Sequence, residues 1–337
     1  MRGIFPKDIC IDVFFANFAA VLLNIHKYYF GMKNIVNSFL IIVFSFLSLV
    51  SCENVIDGNN MFSDRKENVK ILLNDFNLSI EDDNTRASDK TAYDAGVNRI
   101  SLSVFNENGE KVFTATKNSS LDVDDFDVIS CTLYPGDYSF VAVAYKSYND
   151  NDEGADIVSV ESAKITASKL WKTWAVNQTV KIESDKTNEV VIDFGKCISA
   201  QFQLVPTDDQ PDNVAFCEII LNPTAALTSD YSFNPTTGFA LEKYQYKVNF
   251  SIKKATVGSI KGKSLGVFCL VTEAEQIVDV IINMKDESGN LVKSRTFSNV
   301  PLKPNNVTRA TGAFFNSSTK TSFLFDAGTA SIINIDF

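Results

Sequence analysis

The residue best suited to covalent chemistry is Cys52, at the end of the segment Leu49-Val50-Ser51-Cys52. This segment closes an apolar run that starts at Phe39 and follows a basic start at Lys33. A positive start, an apolar run of about a dozen residues and a small residue at the cleavage point are typical of a secretory signal. A cysteine in this place resembles a bacterial lipobox, whose thiol is acylated. We predict a lipoprotein signal peptide over residues 32–51 and lipidation of Cys52. The alternative is an ordinary signal peptide with a chance cysteine.

The residues around this signal have no obvious chemistry. Residues 1–31 precede it, although a signal peptide has no mechanistic reason to stand second in a chain. We expect translation to begin at Met32, which makes residues 1–31 a mis-annotated leader; the alternative is a transmembrane helix around Ile9–Ile25. Residues 52–68 are polar and are predicted to form a tether between the lipid and the fold. Stable anchoring needs more than one acyl chain, which a multiply acylated cysteine supplies.

Several classes of function are excluded by composition. The single histidine, His26, lies in the leader, so the mature chain has no histidine. This excludes Ser-His-Asp and Cys-His nucleophile systems and histidine-based zinc sites. The formal net charge is −10 and lysine and arginine do not cluster, which argues against nucleic acid as a partner. We predict a protein that is not an enzyme and that holds no cofactor.

Two acidic segments have some of the features of a metal site. The segment Asn149–Gly154 resembles the start of a calcium loop, but Val160 stands where the bidentate Glu of such a loop is expected. A second acidic run contains Asp122, Asp124, Asp125 and Asp127. The alternative for both is a solvated loop, and we predict no metal site.

Aromatic and thiol side chains form the remaining candidates. Trp171 and Trp174 could stack on a sugar ring, or they could pack into a core. An exported chain could join its cysteines in disulfides. Each cysteine lies in an apolar alternating run, however, and we favour four small core residues. The cysteines concerned are Cys131, Cys197, Cys217 and Cys269.

The elements that must position these residues are strands. Period-two alternation dominates the chain after residue 68, and Asn108-Gly109 between two alternating runs predicts a tight β-hairpin over Arg99–Thr116. We expect a second hairpin, in which the run ending at Tyr134 meets Tyr138–Tyr145, and a short helix within Ala163–Thr173. A polar, proline-bounded break near residue 206 places a domain boundary just before it. We therefore predict an all-β fold with β-sandwich domains at 69–198 and 199–337.

Both ends of the predicted fold are suited to exchange of a strand. The last run, Ser331–Phe337, is prone to form a strand, and such a strand can leave its own sheet to pair with the edge of another chain. The alternative is that it packs within its own domain. At the other end, the strand Val69–Leu73 precedes a polar stretch, Ser79–Lys90, which is a natural protease target. A cut after Arg86 would free the first strand and open a groove.

Several of these segments together resemble one family. They are Cys52, the hairpin Arg99–Thr116, the corner Leu133–Tyr138, the segment Asn299–Asn305 and the run Thr308–Gly312. They look like the fimbrillin-like pilin family of Bacteroidales, over most of residues 52–337. The resemblance implies two consecutive transthyretin-like β-sandwich domains, export as a lipoprotein to the surface of the cell outer membrane, and assembly into fimbriae with other fimbrial subunits.

The resemblance also implies site residues. In such pilins an Arg-specific protease cuts a loop behind the first strand, and a neighbouring subunit donates a strand to the vacated groove. Arg86 matches the cleavage position, and Arg65 is a weaker alternative. The released first strand carries Val69, Ile71 and Leu73, and the donor strand carries Ile332, Ile333, Ile335 and Phe337.

The main alternative is a glycan-binding outer-membrane surface lipoprotein of the same build. It predicts an exposed aromatic platform at Trp171 and Trp174 and a last strand that stays in its own sheet. An adhesive subunit would also have a host or glycan ligand. An enzyme, which would need a pair of carboxylates in a cleft, is the third and least supported interpretation.

Overall fold

The computed structural model describes residues 65–77, 91–92, 95–122, 124–149 and 151–315, and the main chain of Phe323–Ala327 and Ile332–Ile335. Nearly all of the regular structure in these ranges is strand, and the helix α1 (Lys254–Val257) has four residues. This confirms the all-β prediction, which rested on alternation and on β-branched and aromatic residues. Within the same ranges, no helix is long and apolar enough to cross a membrane.

The first half of the chain forms two main sheets. Its strands are β1 (Glu67–Asn77), β2 (Arg99–Asn106), β3 (Lys111–Asn118), β4 (Val128–Leu133), β5 (Gly136–Tyr145), β6 (Asp156–Ser159), β7 (Ser162–Thr166), β8 (Thr173–Ile182) and β9 (Asn188–Lys196). Sheet 1 has the strand order β4-β1-β9, and sheet 2 has the order β3-β2-β5-β8.

Sheets 1 and 2 pack face to face, because every strand turns alternate side chains towards the other sheet. The inward side chains of β2 are Ile100, Leu102 and Val104, and those of β9 include Val190 and Ile192. All five are buried and belong to one apolar cluster. The period-two pattern of the sequence therefore corresponds directly to the inner faces of a sandwich.

The second half forms two further sheets. Its strands are β10 (Ser199–Pro206), β11 (Phe216–Leu221), β12 (Ala226–Leu227), β13 (Asp230–Phe233), β14 (Tyr244–Ser251), β15 (Leu265–Leu270), β16 (Gln276–Lys285), β17 (Leu291–Leu302), β18 (Val307–Gly312), β19 (Phe323–Ala327) and β20 (Ile332–Ile335). Sheet 4 has the order β15-β10-β18-β19-β20, and sheet 5 has the order β12-β14-β11-β16-β17. Phe202 and Val267 of sheet 4 meet Ile219 and Ile282 of sheet 5 in a second apolar cluster.

A small sheet joins the two halves. Sheet 3 has the order β13-β7-β6, so β13 of the second half pairs with β7 of the first half, with Phe233 opposite Ala163. The second apolar cluster likewise includes Val141 and Val143 from the outer face of β5. The predicted boundary coincides with the first residue of β10, Ser199. The division at 198/199 stays a prediction, because sheet 3 and this cluster both cross it.

The hairpin at Asn108-Gly109 is confirmed, with a turn wider than expected. Gly109 alone among the turn residues has a positive φ, of 76°, and its N–H donates to the Asn106 carbonyl at 2.9 Å. The Asn106 side chain accepts from the main-chain N–H groups of Asn108 and Glu110. A side chain therefore supports this turn, as asparagine commonly does.

The second predicted hairpin is wrong. Strand β4 pairs with β1, whereas β5 pairs with β2 and β8, so the segment between β4 and β5 is a corner that carries the chain from sheet 1 to sheet 2. The Tyr138 hydroxyl donates to the Tyr134 carbonyl across this corner at 3.0 Å. Turn residues reveal a change of direction, but they do not reveal which neighbour each strand finds.

The predicted helix within Ala163–Thr173 is also wrong. Ala163 and Ile165 are both 0% exposed and lie two residues apart in β7, which is the spacing of a strand. The pairing of β7 with β13 is a long-range contact. Tertiary pairing of this kind overrides a weak local preference for helix.

Candidate functional site: the first strand and an aromatic groove

Strand β1 forms the centre of sheet 1. Its residues pair with β4 in antiparallel orientation and with β9 in parallel orientation, so that Ile71 lies opposite both Ile129 and Val190. Val69, Ile71 and Leu73 are 1%, 0% and 1% exposed and project into the core between sheets 1 and 2. These three residues are therefore both core side chains and members of a strand with partners on each side.

The far end of β1 is fixed by aromatic contacts. Phe76 stacks on Phe194 with ring centroids 4.6 Å apart, and its ring meets the edge of Trp174 at 5.7 Å. Trp174 is 0% exposed. The aromatic platform of Trp171 and Trp174 that the glycan-binding alternative predicts does not form, because Trp174 is a core residue under β1.

The predicted donor strand lies at an edge. Among the described strands, β20 is the outermost of sheet 4 and pairs with β19 alone, with Ile333 opposite Phe325 and Ile335 opposite Phe323. In this structure the strand therefore lies in its own sheet, which is the alternative that the sequence left open to donation of the strand. Cys52, Arg86 and Phe337 lie outside the described residues, so the predicted lipidation site, cleavage site and last donor residue remain predictions.

Three of the four cysteines agree with the interpretation that we favoured, and the fourth, Cys131, is only partly buried. Cys197, Cys217 and Cys269 are buried and free, and Cys131 is half-buried and free. Burial raises the pKa of Cys131 to about 11 and raises that of Cys269 to about 12. Because the reactive species is the thiolate, these two thiols are poor nucleophiles at neutral pH.

The acidic run Asp122–Asp127 is partly neutralised by a lysine. Lys117 Nζ lies 3.4 Å from Asp122 Oδ1 and 3.0 Å from Asp125 Oδ2. Burial alone would lower the pKa of Lys117, but the hydrogen bonds and charges of these two carboxylates outweigh it and leave the pKa raised. Among the described residues, no group of three or more acidic, histidine or cysteine side chains is placed to hold a metal ion.

The segment Asn149–Gly154 is held by a buried arginine. Arg99 is 3% exposed, and its guanidinium donates to the carbonyls of Asn149 and Asp152, both at 3.1 Å, and to Asn118 Oδ1 at 2.8 Å. The Tyr145 hydroxyl donates to Asp152 Oδ1 at 2.8 Å. Burial raises the pKa of Tyr145 well above its ordinary value, and this bond acts in the same direction. The resemblance to a calcium loop thus reflects a loop built around a fixed internal cation.

Tyr148, which directly precedes this loop, presents its ring to a groove of about 670 Å³. Tyr148 is 64% exposed, and its ring meets Trp171 edge to face with centroids 5.3 Å apart. Trp171 in turn lies 4.9 Å from the ring of Phe268 on β15. Lys146 Nζ lies over both rings, 5.2 Å from the Tyr148 centroid and 5.7 Å from that of Trp171.

Strand β14 also lines the groove. Val248 and Phe250 are half-buried there and pack against the second apolar cluster. Five separate parts of the chain therefore build the groove. Of its aromatic residues, the sequence marked only Trp171. No local pattern marks Tyr148, Phe250 or Phe268, because their proximity depends on how the sheets meet.

The chain matches no protein-family model. It also matches no curated protein. Its fold is similar to solved structures of low sequence identity. One is a protein of Bacteroides ovatus that is described as an adhesin, with 11% identity, a TM-score of 0.48, and coverage of 81% of this chain and 95% of that one.

Two further structures have names that refer to fimbriae. A fimbrial assembly protein from Parabacteroides distasonis has 14% identity, a TM-score of 0.45, and coverage of 80% of this chain and 99% of that one. The fimbrial anchor protein Mfa2 from Porphyromonas gingivalis has 10% identity, a TM-score of 0.44, and coverage of 79% of this chain and 100% of that one. All three structures come from Bacteroides, Parabacteroides or Porphyromonas species.

Proposed function

We propose that this protein is a structural or adhesive subunit of a surface fimbria and that it assembles by donor-strand exchange. The observation that carries the proposal is the position of β1. A strand with ladder partners on both sides and three fully buried alternate side chains leaves a preformed slot when it is removed. Such a slot has an apolar floor and two rows of main-chain hydrogen-bonding groups.

The residues of the last strand suit that slot. Ile333, Ile335 and Phe337 follow each other at a spacing of two, as do Val69, Ile71 and Leu73. The two sets are similar in size and are entirely apolar. Burial of each such side chain contributes about 1.5–3 kcal/mol, so three of them contribute roughly 4.5–9 kcal/mol before the ladder is counted.

Export as a lipoprotein follows from the signal before Cys52. The proposal places the mature protein on the outer membrane through lipid on Cys52 and in contact with other fimbrial subunits. Fimbrial anchoring and fimbrial assembly are the roles that two structural neighbours carry in their names. A host or glycan ligand belongs to the proposal only for an adhesive member.

The proposal is tested with the purified precursor, without lipid, and an Arg-specific protease. We expect a clean cut after Arg86, followed by ladders on a gel run without heating. The Arg86→Ala variant should stay uncut and monomeric, and deletion of residues 332–337 should permit the cut but abolish the ladders. Arg65→Ala is the matched control and should behave as the parent does. A monomer that resists the protease would contradict assembly by donor-strand exchange.

A further inference from the structure

The aromatic groove runs along the edge of sheet 4 that is formed by β15. The hydrogen bonds of β10 show which main-chain groups of β15 face this edge. The Gln201 N–H donates to the Asn306 carbonyl at 3.0 Å, and the Asn305 N–H donates to the Ser199 carbonyl at 2.9 Å. Ser199 and Gln201 therefore face β18. Because the direction of main-chain groups alternates along a strand, the intervening residues of β10 face β15.

The same alternation identifies the free groups of β15. Ala200, Phe202 and Leu204 lie opposite Cys269, Val267 and Leu265, respectively. The main-chain N–H and C=O groups of the other residues of β15, which are Gly266, Phe268 and Leu270, therefore point away from β10.

One of these three residues already has a partner. The Leu270 N–H donates to the Tyr246 hydroxyl at 3.2 Å, and that hydroxyl lies 3.1 Å from the Leu270 carbonyl, to which it donates. Tyr246 thus closes the edge of β15 at one end. Gly266 and Phe268 have no main-chain partner at this edge among the described residues, and both line the groove, although Phe268 is only 3% exposed. An edge with free main-chain groups is a template for an added strand.

The walls of the groove indicate which side chains an added strand would carry. Val248 and Phe250 offer an apolar wall, and Trp171 and Tyr148 offer aromatic faces. Lys169 is exposed and lines the rim, and Lys146 lies over the two rings. None of the described residues that line the groove is acidic, although the chain carries a net charge of −10. The groove therefore complements a segment with both apolar and acidic residues.

We propose that this groove binds an extended, apolar and acidic segment of a second subunit as an added strand on the free edge of β15. This rests on the proposed function for the identity of the partner, but it concerns a site distinct from the slot of β1. In the uncut protein, β1 fills its slot, whereas Gly266 and Phe268 of β15 have no main-chain partner among the described residues. Binding to the uncut protein therefore does not report on the slot of β1, and the variants in the groove distinguish the groove from the edge at β20.

The probe is a labelled peptide of residues 331–337, Ser-Ile-Ile-Asn-Ile-Asp-Phe, whose sequence combines alternating apolar residues with an acidic one. Fluorescence anisotropy should show that it binds the uncut protein. The double variant Lys146→Glu, Lys169→Glu should weaken binding about tenfold, since two favourable charge contacts become repulsive. Lys181→Glu, an exposed lysine near the far end of β8, is the matched control and should leave binding unchanged.

Two further measurements test the main-chain contacts without changing the protein. Two peptides that are N-methylated at alternate residues should differ in their affinity for the protein. Only the peptide whose methylated amides would face β15 should lose binding. Hydrogen exchange at Gly266 and Phe268 should slow when the peptide binds. The proposal is overturned if the uncut protein does not bind the peptide, or if the double variant binds it as tightly as the parent. Failure here leaves the Arg86 experiment intact, because that experiment tests the slot of β1.

Discussion

Arg99 stabilises the loop that carries Tyr148, and its removal should be costly. Its guanidinium makes hydrogen bonds to Asn149, Asp152 and Asn118. We expect Arg99→Met, which keeps the apolar stem, to lower the free energy of unfolding by about 2–4 kcal/mol, since several buried acceptors lose their donors. Urea denaturation measures this change. Arg309→Met, at an exposed arginine bonded to Gln203, should cost far less. Equal losses in the two variants would show that the buried guanidinium has no special role.

Glu218 should make stability depend on pH. It accepts from Asn283 Nδ2 and Lys285 Nζ, both at 2.9 Å. Burial alone would raise the pKa of Glu218, but these partners outweigh it and leave the pKa lowered. A lowered pKa stabilises the fold above the unfolded value, near 4.5, and this contribution disappears as pH falls through the folded value. Glu218→Gln should therefore be less stable than the parent by about 1–2 kcal/mol at pH 7, and this difference in stability should become smaller below about pH 4.5.

The control for this variant is Glu275→Gln, which breaks the exposed pair with Lys303. An exposed pair contributes about 0–1 kcal/mol, so its effect should be small. Thermal melts of both variants and the parent at pH 7 and pH 3.5 measure these differences in stability. If the difference in stability between Glu218→Gln and the parent is the same at pH 7 and pH 3.5, ionisation of Glu218 does not contribute to the pH dependence of stability.

At the scale of elements, the two faces of β1 should respond differently to truncation of a side chain. Ile71→Ala removes a side chain from the core, and such changes cost about 2–5 kcal/mol. Leu72→Ala, at the half-buried neighbouring position on the other face of β1, should cost much less. Denaturation of the uncut variants measures both. A similar loss at the two positions would contradict the assignment of Ile71 to the core face.

Elements defined by local chemistry could be predicted from the sequence, whereas those defined by pairing could not. The β2–β3 hairpin follows from Gly109 and from alternation on either side. The corner at Tyr134–Tyr138 has equally clear turn residues, yet its strands separate into different sheets. Strand β7 has no local signal that outweighs helix, because its partner β13 is distant in the sequence.

The candidate sites show the same division. The burial of Val69, Ile71 and Leu73 was expected from their spacing, since period two places all three on one face. The groove was not expected, because Tyr148, Phe250 and Phe268 come from three elements that only the packing of sheets 4 and 5 against the first half brings together. Trp174, next to Trp171 in the same short segment, points into a different cluster.

For the whole molecule, the cut and the loss of β1 should be separate events. The main-chain partners of β1 on both sides and its buried side chains remain after a peptide bond beyond it is broken. We expect the fragment that ends at Arg86 to stay bound to the body after cleavage. It should leave when a competing strand is supplied as the peptide of residues 331–337. Native mass spectrometry before and after addition of the peptide measures the two populations. Immediate dissociation without peptide would show that the covalent link holds β1 in place.

The mixed pairing of sheet 1 has a consequence for symmetry. Strand β1 runs parallel to β9 and antiparallel to β4. A donor strand that replaces β1 therefore makes the same main-chain hydrogen bonds only if it runs in the same direction as β1 and turns its apolar face inward. Successive copies joined in this way are related by a screw operation and never by a two-fold axis. Such a filament is polar: one end exposes an unfilled acceptor and the other an unused donor. The length of the filament is then set by a subunit that fills the acceptor without offering a donor, or that offers a donor without an acceptor of its own.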